Sequence, residues 1–374
     1  MTGTTSRPRK VVHLTSVHPR YDTRIFVKMC RSLTELGFDT HLVVADGLGD
    51  EINNDVTVHD VGKPQGSRFS KMLRGPKSVY RTAKSLNADI YHFHDPELMP
   101  AGLLLKLTGA KVIYDVHEDL PRQIYRKHWI PKPLRFLISV IAKLAESITA
   151  SLVDHVITVT PSIAKRFSNT LVTEIRNYPV LKEFNNSEAS HVRDKITYIG
   201  GISEDRGIAQ MIQAFSGTDL TFTLAGKFQP ETLMDQSAQL PGWSNVDFIG
   251  WQDREQIAQL LAQSCLGLVL LQPTGDYEDA YPVKMFEYMA SGVAVLASDF
   301  PLWANIIEST NAGVCVDPTD PDLIRETLNK LLSDPKSLER IGQNGRKAVM
   351  TKYNWDKESE KLASVYHYLL GNKT

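Results

Sequence analysis

With 374 residues, 42% of them hydrophobic and 23% charged, the chain is too long for one ordinary core and predicts two domains; its composition excludes a disordered or fibrous class. The three cysteines, Cys30, Cys265 and Cys315, are odd in number and lack metal-ligand spacing, which argues against a disulfide framework or a zinc site and for a reducing compartment. A net charge of −1 hides an asymmetry: residues 1–180 carry 25 Lys and Arg against 17 Asp and Glu, and the remainder 17 against 26. The basic half predicts an anionic ligand or surface, with no requirement for nucleic acid.

The opening MTGTTSRPRK runs into VVHLTS with no apolar stretch of signal-peptide length, so no export signal is expected. Short β-branched runs then alternate with helical patterns at 10–16, 40–46, 56–62, 88–94, 111–117 and 155–160, the signature of a parallel α/β sheet. Open parallel sheets bind ligands at the carboxyl ends of their strands. That rule picks out Asp22 and Arg24 after the first run, His94, Asp95 and Glu97 after the fourth, and His117 with Glu118 at the end of KVIYDVH.

Two other stretches of this half suggest a surface role. RFSKMLRGPKSVYRTAK (68–84) holds six basic residues and no acid. RKHWIPKPLRFLISVIAKL (126–144) adds Trp129 and Phe136 to Arg126, Lys127, Lys132 and Arg135, and its apolar positions 134, 137, 138, 141, 144, 145 and 148 form a helical stripe. Such a stripe either packs on its own sheet or seeks a membrane surface. Residues 134–153 are interrupted by Arg135, Lys143 and Glu146, so no bilayer span is expected.

RNYPVLKEFNNSEASHVRD, from residue 176, is rich in Asn, Ser and charge and reads as a linker. The strand pattern restarts at 195–200 and continues at 220–226, 246–250, 266–271, 293–298 and 312–316. Two Rossmann-like domains, 1–180 and 195–355, facing across a cleft are implied, with a final helix at about 356–374 that could return to the first. Gly200, Gly201 and Gly207 bracket a strand-to-helix turn of the kind that lets backbone approach a diphosphate.

The run DAYPVKMFEYMASG, Asp279 to Gly292, carries the sharpest chemistry. Pro282 suits the first helical position, so the free amides of the opening turn, joined by Lys284, predict a phosphate site. Glu287, one turn further on, could accept ribose hydroxyls, and Asp279 in the preceding loop could reach the transferred sugar. The alternative is a solvated Lys284–Glu287 ion pair and a plain loop acid.

PVKMFEYMASGVAVLASD resembles the motif of family 4 of the retaining glycosyltransferases, enzymes of the GT-B fold. YIGGISEDRG (198–207) looks like that family's Gly-rich loop, FIGWQDREQIAQLLAQSCLGLVLL (248–271) like its base-binding strand, and VIYDVHEDLP (112–121) like its histidine segment. The resemblance puts Glu287 on the ribose, Asp279 on the donor sugar, Arg206 and Lys284 on the diphosphate, and His117 at the reaction centre. Gly200, Gly201, Gly226, Ile249, Met285 and Phe286 join the donor contacts, and Asp22, Arg24, His94, Asp95 and Glu118 remain acceptor-side candidates. Two departures stand out: Asp279 replaces a customary Glu, and Gly201 stands where many members carry a first phosphate-binding basic residue.

The resemblance implies transfer from a UDP-linked sugar to a saccharide, or to a lipid-diphosphate-linked saccharide, in cell-surface polysaccharide or lipopolysaccharide assembly. No cofactor or metal is expected, since two cations can neutralise the leaving diphosphate and no Asp-x-Asp pair stands ready in a loop. A cytoplasmic protein, peripheral on the inner face of the membrane, follows as an expectation. An epimerase of UDP-N-acetylglucosamine with the same fold and a non-catalytic nucleotide-sugar-binding subunit are the alternatives.

Overall fold

Runs such as VVHL and VIYDV are mostly apolar and are buried on both faces, which suits strands covered by helices on either side. The computed structural model describes residues 7–126, 130–167, 170–185, 193–274 and 277–371, with only the main chain at 68–73, 126 and 185. The chain divides into two compact units, 1–176 with 358–374, and 177–357.

The first unit holds eight strands: β1 (Lys10–Leu14), β2 (Asp39–Val44), β3 (Glu51–Asn53), β4 (Val56–Asp60), β5 (Ile90–Phe93), β6 (Lys111–Val116), β7 (His155–Thr158) and β8 (Val172–Glu174). Their order is β3-β4-β2-β1-β5-β6-β7-β8, parallel throughout except for the β3–β4 pair. Edge strands β3 and β8, three residues each and mixed in polarity, are absent from the sequence-based expectation, because so short a segment has no readable period. One face is covered by the helices Arg68–Leu86, Met99–Lys106 and Lys132–Leu152. The other carries the helical segment Thr23–Cys30 and the helix Trp355–Leu369, whose Tyr366 is fully buried against β1 and β5.

The second unit holds six parallel strands: β9 (Lys195–Ile199), β10 (Phe222–Ala225), β11 (Val246–Gly250), β12 (Ser264–Val269), β13 (Ala294–Ser298) and β14 (Gly313–Val316). They run β11-β10-β9-β12-β13-β14, the doubly wound order that reverses between β9 and β12. In the first unit the same reversal falls between β1 and β5. Each sheet therefore opens a crevice where its neighbouring strands diverge, and the sequence places its polar candidates at those strand ends.

Residues 177–185, read from sequence as part of a linker, are integral to the second unit. Tyr178 and Phe184 are buried in its core, where Tyr178 packs edge-on against Phe286 with ring centroids 4.7 Å apart. The two aromatics commit the stretch to the core despite the polar composition around them, because large buried rings dominate core energetics. Residues 186–192 of that stretch lie outside the described residues, as do Lys127 and Trp129 and the side chains of Arg68, Lys71 and Arg126. Among the described residues no helix is long and apolar enough to cross a membrane.

Candidate functional site

In the second unit the candidate site is built on the carboxyl ends of β9 and β10 and on the helix Val283–Ala290. Pro282 is the residue just before that helix, one position earlier than sequence placed it, and no side-chain oxygen caps the helix start. The turn before it is pinned by Trp303, whose Nε1 donates to the Ala280 carbonyl at 2.8 Å. Asp279 is exposed in that turn.

Lys284 points from the first turn of the helix back toward β9. Its Nζ lies 3.6 Å from the centroid of the Tyr198 ring, and a Cβ added to Gly200 would be 3.4 Å from it. The stem is partly exposed, but the ammonium tip is buried and has no hydrogen-bond partner among the described residues. Burial, and secondarily the charge of Arg206, hold its pKa well below the ordinary lysine value. The expected alternative of a Lys284–Glu287 ion pair is not what forms. Glu287 is buried and accepts from Arg254 Nη1 at 2.6 Å, while Arg254 Nη2 reaches Glu183.

Arg206 closes the other side. Its Nη1 donates to the Gly201 carbonyl at 3.0 Å, the same oxygen that accepts from Tyr198 Oη at 2.6 Å. A Cβ at Gly201 would stand 2.3 Å from that Nη1, so the missing side chain is the seat of the guanidinium. Gly226 is obligatory for another reason: at φ +159° a Cβ would lie 1.8 Å from the Gly200 carbonyl oxygen. Gly207, at φ +77°, starts the helix Ile208–Ala214 where a Cβ would meet the Leu270 carbonyl at 2.0 Å. Ile249 is exposed near the end of β11.

Met285 and Phe286 are corrected by the structure. Both side chains are fully buried in the core, Phe286 among Tyr178, Tyr281 and Tyr353. The Met285 amide already donates to the Pro282 carbonyl at 3.0 Å. One helix face must pay for the helix's place in the core, and these residues form it, leaving Lys284 on the other.

In the first unit a pocket of about 370 Å³ opens at the ends of β5 and β6, lined among others by His18, His94, Asp95, Asp115, His117 and Glu118. His117 sits at its rim, its Nε2 3.2 Å from His18 Nε2 and its Nδ1 3.8 Å from Asp115 Oδ2. Glu118 is exposed. Asp95 is buried, accepting at Oδ2 from the Thr15 hydroxyl at 2.9 Å and from the Ser16 amide, with His18 Nε2 3.4 Å from its Oδ1.

Behind the rim runs a buried polar chain. Arg24 grips Asp115 with both Nε and Nη2 at 2.8 Å, Asp115 meets His94 at 3.0 Å, and His94 meets His13 at 2.9 Å. His13 and His92 both bond the Tyr366 hydroxyl, at 3.1 and 2.8 Å. Burial raises the Asp115 pKa, but Arg24 outweighs it and holds the carboxyl well below the usual range. Burial pushes His94 down to about 3 and His13 and His92 well below their ordinary value, so all three rings are neutral.

Arg24 is thus not open to a ligand, while Asp22 is partly exposed and spends one carboxylate oxygen on the backbone. Asp22 caps the segment Thr23–Cys30, accepting from the Arg24 and Ile25 amides at 2.8 and 2.9 Å, and Arg24 is consumed by Asp115 and by the Ile175 carbonyl. A loop acid immediately before a turn of helix is an N-cap signal, and that reading of Asp22 is available in the sequence. His13, His18, His92, Asp115, Tyr198 and Arg254 lie outside the sequence-based candidates. The alternation His92-Phe93-His94 and Asp115-Val116-His117 could have flagged four polar residues on one face of two strands, since strand side chains repeat every second residue.

Two family models match the chain: one described as "Glycosyl transferases group 1" over residues 181–348, the other as "Glycosyltransferase Family 4" over 23–176. D-rhamnosyltransferase WbpZ of Pseudomonas aeruginosa is 24% identical over 348 residues, spanning 86% of this chain and 85% of that protein. The capsular polysaccharide biosynthesis glycosyltransferase CapM of Staphylococcus aureus is 26% identical over 180 residues, 47% of this chain and 46% of that one. Among solved structures, HepE of Anabaena in complex with UDP superposes with a TM-score of 0.73 at 14% identity, covering 96% of this chain and 100% of that one. Sucrose-phosphate synthase of Thermosynechococcus elongatus gives a TM-score of 0.75 at 16% identity, over 98% of this chain and 100% of its own. The chain belongs to glycosyltransferase family 4 and is a glycosyltransferase of the GT-B fold class.

Proposed function

We propose that this enzyme transfers a sugar from a UDP-linked donor to a saccharide acceptor in bacterial cell-surface polysaccharide assembly. The observation that carries the proposal is the buried, unpartnered ammonium of Lys284, with Arg206 beside it, at an uncapped helix start. A buried cation without a counter-ion is costly. A diphosphate supplies the missing anion, the helix amides and two cations then neutralise the charge that grows as the bond to the sugar breaks, and no metal is needed for that task.

The remaining roles follow from the same arrangement. Glu287, held by Arg254, receives the ribose hydroxyls, and Asp279 in the exposed turn receives hydroxyls of the donor sugar. Gly200, Gly201 and Gly226 let the backbone approach the diphosphate, and Ile249 meets the base. The second unit thus binds the donor, while the pocket beneath His117 in the first takes the acceptor. The reaction retains anomeric configuration: the C1–O bond to the diphosphate breaks, the acceptor oxygen bonds C1 from the same side, and the acceptor proton leaves on the diphosphate. Polysaccharide assembly as the setting is supported by what WbpZ and CapM are named for.

Thermal-shift screening against UDP-, GDP- and dTDP-sugars, followed by transfer to a saccharide panel with NMR of the product anomer, tests this. UDP-sugars are expected to raise the melting temperature, since a ligand of the folded state stabilises it, and the product to keep the donor's configuration. Stabilisation by another nucleotide alone, inversion, or an epimerised sugar released without acceptor would each contradict the proposal.

A further inference from the structure

The helix Lys132–Leu152 is turned the opposite way from an ordinary surface helix. The residues it buries are Ser139, Glu146, Thr149 and Ala150. Ser139 donates to the Pro121 carbonyl at 3.1 Å, and Glu146 is held by Arg166 and by the Tyr114 hydroxyl. Its apolar stripe faces outward: Leu134, Leu137, Ile138, Ile141, Leu144 and Ile148 are each between 36% and 58% exposed. Phe136 and Leu152 extend it, at 67% and 53%. Of the two readings open in sequence, packing on its own sheet is therefore the one the structure excludes. A contiguous apolar face of this size on one helix marks a contact surface.

The charge around the stripe narrows what can cover it. The helix Met99–Lys106 packs against both Lys132–Leu152 and Arg68–Leu86, so all three form one layer on one face of the sheet. On Arg68–Leu86 the exposed Arg74, Lys77, Arg81 and Lys84 recur at helical spacing, opposite the buried Val79 and Ala83. Residues 74–86 contain no acid, and the single acid of 130–152, Glu146, is buried and paired. A second copy of this chain would bring like charges face to face. An anionic lipid surface meets both features at once.

We infer that this helical layer docks the enzyme on anionic phospholipid, with the Lys132–Leu152 stripe immersed at the headgroup boundary and Arg74, Lys77, Arg81 and Lys84 on the lipid phosphates. The inference is independent of the donor-site reading. It requires only that the layer face lipid.

Flotation of the full chain with phosphatidylcholine vesicles, with and without phosphatidylglycerol, tests it. Binding is expected only when phosphatidylglycerol is present and is expected to weaken in high salt as screening shortens. Each charge reversal among Arg74→Glu, Lys77→Glu and Arg81→Glu should lower affinity by about fivefold or more, the effect of about one cation near an anionic leaflet. Leu137→Asp, Ile141→Asp and Leu144→Asp together should abolish flotation. Because these side chains are already in solvent, that variant should keep the wild-type melting temperature and its transfer rate to a soluble acceptor. Absence of flotation at low salt would overturn the inference, as would flotation untouched by the triple variant. A dimer abolished by that variant, without vesicle binding, would overturn it in favour of a second copy.

Discussion

The guanidinium of Arg206 fills the space that a side chain at Gly201 would need. By the family resemblance Gly201 stands where many members carry the first of two phosphate-binding basic residues, and here the guanidinium of Arg206, five residues later, folds back into that space. Gly201 has no left-handed φ, so only the guanidinium opposes a Cβ. Gly201→Ala is therefore expected to leave folding intact and to lower UDP affinity by about tenfold or more, the worth of a charge-assisted hydrogen bond. Isothermal titration with UDP reads it, and an unchanged affinity would mean that Arg206 does not need its seat.

Asp115 and Arg24 form a buried pair beneath the pocket of the first unit. Asp115→Asn removes the counter-charge of a guanidinium that is almost fully buried, which costs about 3–5 kcal/mol. Urea unfolding should show that loss. A variant as stable as wild type would mean that Arg24 finds another anion.

The neutral histidines set the acid limit of the first unit. The folded state holds His13, His92 and His94 unprotonated, His94 down to about 3, whereas each takes a proton near pH 6.5 when unfolded. Between those values the unfolded state binds more protons, so stability falls as pH drops below about 6.5, by up to about 1.4 kcal/mol per pH unit for each ring. Asp115, depressed in the folded state, adds a further loss only as pH falls below its unfolded value of about 4. Unfolding free energies at pH 7 and pH 5 should differ by several kcal/mol, and equal values would contradict neutral, buried rings.

Much of this was legible in the sequence. All twelve strands read from β-branched runs are present, because each run is long enough to carry a readable strand pattern. The Lys284 helix was legible because Pro282 and the apolar face of Met285 and Phe286 mark its start and its phase. What could not be read was partnership across distance. Nothing local says that Arg254 rather than Lys284 pairs with Glu287, that Arg24 is spent on Asp115, or that Tyr366 bonds two histidines more than 270 residues earlier. Nor does a helical stripe say which way it faces. That depends on which side offers partners to Glu146 and Ser139, and those partners, Arg166 and Pro121, come from other elements.

In the proposed function Lys284 waits for the donor's diphosphate. Its folded-state pKa lies below the unfolded value of about 10.4, so between the two the unfolded state binds the extra proton and the lysine detracts from stability, an effect that fades as pH rises. A bound diphosphate favours the charged form, so UDP binding should draw in a proton at pH values above the free enzyme's Lys284 pKa. Calorimetry of UDP binding to wild type and Lys284→Met, in buffers of differing ionisation enthalpy across pH, measures this directly. An affinity about a hundredfold lower in the variant, no pH-dependent proton uptake, and a fold at least as stable as wild type are expected from that role. A variant that binds UDP as tightly as wild type, with the same proton uptake, would contradict it.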